Sequence, residues 1–128
     1  MTRRDARVLC MKVLYNADLN EISIEESKNN IVEEEDELAF SFLELVENNL
    51  EKIDEIIEKS LENYSLSRLN KVDKAIIRLA TAEMLDGKTP KKIIINEALE
   101  ITKEYSDQGD HKATSFNNRL LENISKNL

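Results

Sequence analysis

Three guanidiniums stand within the first seven residues, on Arg3, Arg4 and Arg7, in a chain of 128 residues whose net charge is −8. Each planar fork can donate two parallel hydrogen bonds to one phosphate, and contact with a nucleic-acid strand releases condensed counterions. The spacing therefore suits phosphate binding. Tyr15 follows about three helical turns after Arg4 and offers a planar face to a base. The competing readings are a solvated helix start for the arginines and simple packing for Tyr15. Charge is also unevenly placed. Arg3, Arg4, Arg7 and Lys12 face only Asp5 in the opening segment, whereas residues 13–62 carry Lys28, Lys52 and Lys59 against sixteen carboxylates. A globally acidic chain does not coat nucleic acid indiscriminately, which leaves a small, directed contact.

Other chemistries lack their parts. The lone Cys10 has no partner for an internal disulfide, and the single His111 has no Cys or His companion for zinc. Acidic residues lie in helical runs rather than as a cleft pair with separated pKa values. No glycine-rich phosphate loop, Cys/His nucleophile arrangement or Glu-x-x-His pair occurs. The sequence thus assigns no catalytic residue, no metal and no cofactor. No apolar run approaches the ~18 residues of a membrane span and no signal segment opens the chain, so a soluble, cytoplasmic protein is expected.

The elements that must position these residues are helical throughout. Ala6, Leu9, Cys10, Val13, Leu14 and Ala17 form one stripe of a first helix, with Arg4, Arg7, Met11 and Tyr15 toward another side. Residues 20–34 read as a polar connection containing at most a short helical turn. The acidic run Glu33–Glu37 sits where a helix dipole favours it, before a helix from Leu38 that weakens at Asn48-Asn49 and ends by Tyr64–Ser67. Val72, Ala75, Ile76, Leu79, Ala80 and Met84 make another stripe, closed by Gly87 as a left-handed cap. Thr89 as N-cap and Pro90 as first helical residue start the next helix, which runs to about Tyr105. A polar loop, Ser106–Thr114, precedes a last helix carrying Phe116, Leu120, Leu121 and Ile124. With two Gly, one Pro and no β-type alternation, the fold class is an all-α bundle of about six or seven helices. At this length it is a single domain that can bury roughly two thirds of its unfolded surface without staples.

Taken together, the segments resemble the NusB family of transcription antitermination factors over nearly the whole chain. Arg3-Arg4-Asp5-Ala6-Arg7 followed by Val13-Leu14-Tyr15 is similar to the family's opening. Ser67–Ala80, then Glu83-Met84-Leu85, looks like its central helix. Pro90 followed by Ile95-Asn96-Glu97-Ala98-Leu99-Glu100-Ile101-Thr102-Lys103 resembles its most recognisable stretch. A fourth motif departs from the pattern: the family's Phe-Val-Asn-Gly reads Phe116-Asn117-Asn118-Arg119, after a longer loop. Arginine in place of glycine removes a site of close backbone approach and adds a cation that can strengthen phosphate contact.

The resemblance implies two helical subdomains, roughly residues 1–64 and 65–128, packed into one RNA-binding domain. It implies binding of the single-stranded boxA element of ribosomal RNA leaders together with NusE, a ribosomal protein that doubles as an antitermination factor and links to the elongation complex. Arg3, Arg4 and Arg7 would then meet phosphates, Tyr15 and Phe116 would meet bases, and Asp110, Lys112 and Arg119 would add contacts. By the same resemblance Asp73 and Lys74 face NusE; for Asp73 a helix-dipole role is the alternative. A homodimer stays open. A NusB-like protein-interaction module with weak or lost RNA binding is the competing function, motivated by the altered fourth motif. The NusB-like front of an RNA cytosine methyltransferase would need a cofactor domain beyond Leu128, and the length argues against it.

Overall fold

Polar caps written into the sequence set most of the helix starts. In the computed structural model, which describes residues 1–128, the Thr2 hydroxyl accepts from the Asp5 amide while the Asp5 carboxylate accepts from the Thr2 amide, a reciprocal cap that opens α1 (Arg3–Asn20). Ser23 caps α2 (Ile24–Ile31), Asp36 caps α3 (Glu37–Asn48) and Asn70 caps α5 (Lys71–Asp86), each accepting from an amide three residues on. Between them lie α4 (Leu50–Ser60) and a single 3-10 turn at Leu66–Arg68; α6 (Lys91–Tyr105) and α7 (Lys112–Lys126) complete the chain. Gly87 closes α5 with φ 75°, in the left-handed region as the sequence requires. The chain is all-α with seven α-helices.

Three boundaries differ from the sequence reading. Residues 20–34 hold a complete short helix, α2, because Ser23 caps it and the buried Ser27 hydroxyl donates to the Val13 carbonyl at 2.6 Å, fixing it on α1. Helix α6 begins at Lys91 rather than Pro90. Pro90 itself takes the cap position, and its carbonyl accepts from the amides of Ile93 and Ile94. At Asn49 the weak point is a full break, with φ −129° separating α3 from α4.

Helix α5 packs against α1, α3, α4, α6 and α7. It is buried over most of its surface, and one cluster of 26 buried residues draws on every helix but α2. The connection near residue 64 joins two halves that share this core. Cys10 is a small core residue whose thiol pKa is pushed up by burial.

Helix α1 runs antiparallel to α5, since Arg7 meets Glu83 while Asp18 meets Lys71 and Lys74. It lies parallel beside α6, with Arg4 on Glu97 and Lys12 over the Tyr105 ring. No helix is long and apolar enough to cross a membrane.

Candidate nucleic-acid interface

The three N-terminal arginines have three different fates. Arg3 is exposed and has no carboxylate partner. Arg4 is exposed but donates from Nε to Glu97 at 3.0 Å, and this bond, with the nearby Glu97, Glu100 and Glu104 charges, holds its proton more tightly than usual. Arg7 is only 4% exposed. Its Nε and Nη2 donate to the two Glu83 oxygens at 2.9 and 2.8 Å, and its guanidinium lies 5.3 Å from the centre of the Phe42 ring. Where Arg7 was expected to grip phosphate, its fork is already filled by Glu83, and both charged groups lie inside the α1–α5 contact. Met11, one turn on, is buried on the same face.

Asp73 and Lys74, expected to face NusE, are likewise buried between helices. Asp73 is 6% exposed, and its carboxylate accepts from the Ser106 hydroxyl at 2.6 Å, from Asn117 Nδ2 at 3.0 Å and from Asn70 Nδ2 at 2.6 Å. It ties the start of α5 to the end of α6 and the start of α7. Lys74 is also buried, and its ammonium pairs with Asp18 at 3.0 Å. Partial burial works against the Asp18 charge, yet hydrogen bonds from Lys74 and Lys71 outweigh it and hold the carboxyl below its usual pKa. Both residues are spent on joining helices.

Asp110 and Lys112 lie exposed in and after the loop between α6 and α7. The residue that shapes this loop is Asp107, which sequence reasoning did not single out. One carboxylate oxygen accepts from the amides of Gly109 and His111, and the other accepts from the Thr114 hydroxyl and amide. The Thr114 hydroxyl bond leads these interactions in lowering the Asp107 pKa to about 2. They also hold His111 at φ 61° and Gly109 at φ 92°. An Asp followed by Gly and a helix start was the available signal. Asp110 in turn accepts from the Lys112 amide at 3.1 Å.

Phe116, in the second turn of α7, is 38% exposed, and its ring centre lies 5.6 Å from that of Tyr64 with the planes 60° apart. Next to it, Asn117 is fully buried and donates to Asp73 and to the Thr102 hydroxyl. Arg119 is exposed and has no carboxylate partner. Tyr15 is half-buried, with its ring packed on the core cluster.

The residues named from sequence do not gather at one point. Arg7 meets α5 at Glu83 and the start of α7 meets it at Asp73, a separation of about 15 Å along the helix axis. Arg3 and Arg4 lie at one end of the bundle; Phe116 and Arg119 lie at the other. Any strand touching both must run along the molecule.

Comparison with known proteins places this arrangement in a family. The NusB family model matches residues 4–126. A transcription antitermination protein NusB from Clostridium botulinum is 42% identical, over 98% of this chain and 99% of that protein. A solved structure of NusB from T. maritima superposes with a TM-score of 0.86 at 31% identity, covering 98% of this chain and 92% of the other. A structure of the antitermination factors NusB and NusE in complex with double-stranded RNA gives 0.82 at 29% identity, covering 97% and 96%. With the sequence matched from end to end and the helical framework superposed, the chain belongs to the NusB family.

Proposed function

We propose that the protein is a transcription antitermination factor that binds single-stranded, boxA-like RNA together with NusE. The observation that carries this reading is the match over 97% of this chain, at a TM-score of 0.82 and 29% identity, to NusB solved with NusE and double-stranded RNA. Two features of this chain support it. Arg3 and Arg119 are exposed cations with no internal carboxylate, so their forks are free to meet phosphate. Phe116 presents part of its ring to solvent, as an aromatic residue that stacks on an unpaired base must. Asp110, Lys112 and the exposed part of Tyr15 complete the set of RNA contacts, with Arg4 contributing if RNA phosphate displaces Glu97. Arg7 and Asp73 act by holding α1, α6 and α7 on α5.

A protein-interaction module with weak RNA binding is the second reading. It is favoured by the commitment of Arg4 and Arg7 to Glu97 and Glu83, which neutralises much of the N-terminal charge. Binding of a boxA-like RNA and a scrambled RNA, each with and without NusE, separates the two: sequence-dependent binding supports the first, and NusE binding without RNA binding supports the second.

A further inference from the structure

The chain has six arginines. Arg4, Arg7 and Arg78 are each bonded to a carboxylate, and Arg3, Arg68 and Arg119 are not. Two of those three free cations flank the same exposed aromatic pair. The Arg68 guanidinium lies 4.7 Å from the centre of the Tyr64 ring, and Tyr64 leans on Phe116, which lies one helical turn before Arg119. The Tyr64 hydroxyl donates to the Arg68 carbonyl at 3.0 Å, and the Leu66 amide donates to Glu58 at 2.9 Å, so the aromatic pair is mounted on a fixed turn. Beside it runs an open groove between the end of α4 and α7. Leu61, Leu120 and Phe116 give it apolar walls, while Asn63, Asn123 and Arg119 give it polar ones, with Glu62 at the rim. The side-chain amides of Asn63 and Asn123 have no partner in the protein, although Asn123 is half-buried.

We infer that this groove holds one unstacked nucleotide of the bound RNA. This rests on the RNA-binding reading above and deepens it by adding a specific base site. The base enters edge-on between Phe116 and the apolar floor of Leu61 and Leu120. The amides of Asn63 and Asn123, each offering both donors and an acceptor, meet the base edge, and Arg119 takes the adjoining phosphate. Glu62 at the rim disfavours a phosphate on its own side and so orients the nucleotide toward Arg119. Tyr64 and Arg68 serve as positioning residues that back the Phe116 ring. A single-stranded RNA suits the site better than an acidic peptide, because aromatic, amide and guanidinium groups side by side match a base and its phosphate together.

The test is anisotropy titration of a labelled single-stranded boxA-like RNA, with NusE present, across a salt series. Arg119→Gln is expected to reduce the salt slope by about 0.7, the share of one single-strand phosphate. Asn123→Ala is expected to weaken binding about tenfold while leaving that slope unchanged, since it removes a base contact and no charge. RNA carrying 5-bromouridine should cross-link under ultraviolet light to Phe116. Circular dichroism and melting of each variant exclude loss of fold. If the unaltered protein binds the RNA but both variants match it in affinity and slope, and cross-links fall only on α1, the groove is not a nucleotide site although the RNA-binding reading survives. If the variants lose NusE binding and keep RNA binding, the groove docks protein and the inference is overturned. If the unaltered protein binds no RNA, both fall.

Discussion

Arg7 and Glu83 meet across the α1–α5 contact in a two-pronged ion pair, with both side chains 5% exposed. The pair occupies the most deeply placed of the N-terminal arginines and makes it a clasp between the two helices. Replacing only Arg7 by Ala leaves the Glu83 charge buried without compensation, so the variant should lose about 3–5 kcal/mol of stability in chemical denaturation. The double change Arg7→Met with Glu83→Leu should recover most of that loss, because a packed apolar pair replaces the charges without stranding either one.

Asp73 follows the same logic. Asp73→Ala removes the acceptor of the half-buried Ser106 hydroxyl and one of the two acceptors of the buried Asn117 amide, and an unsatisfied buried donor costs about 1–3 kcal/mol. A large fall in melting temperature is expected, and any loss of NusE binding should disappear when affinity is expressed per folded molecule. An unchanged melting temperature with weakened NusE binding would return Asp73 to the partner surface.

The Asp107 loop should be sensitive to acid. Its carboxyl pKa in the folded protein is lowered to about 2, below the ordinary value near 3.9 for an unfolded chain. Its contribution is therefore complete above pH ~4 and is lost as pH falls through about 2. The melting-temperature gap between the unaltered protein and Asp107→Ala should be constant from neutrality to about pH 4 and shrink below it. A gap that does not narrow in acid would mean that Asp107 acts without its charge.

How far these roles could be read beforehand depended on whether the signal was local. Helix type and the Gly87 limit of α5 follow from periodicity and a cap within a few residues of one another. The burial of Arg7 does not. It depends on Glu83, 76 residues away, and on α1 being covered by α3 as well as α5, so that its buried face extends past the Ala6–Ala17 stripe to Arg7 and Met11. The Asp73 junction is non-local for the same reason, gathering Asn70, Ser106 and Asn117 from three elements. In α2 a weak apolar pattern concealed a helix stabilised by Ser27 bonding to α1.

Phe116→Ala offers a direct contrast between packing and recognition. With 38% of the residue exposed, truncation should cost less than the ~3–5 kcal/mol typical of a buried Phe. It should instead reduce RNA affinity by about 1–3 kcal/mol, the range for one stacked base. Denaturation and anisotropy on the same preparation measure both.

Sequence-dependent RNA binding through Arg3 and the α7 surface, as proposed, is tested by one salt-series titration. A boxA-like single-stranded RNA should bind more tightly than its scrambled counterpart, and more tightly again with NusE. Arg3→Ala should lower the salt slope by about 0.7. Equal binding of the two RNAs in the presence of NusE, or a slope unchanged by Arg3→Ala, would contradict it.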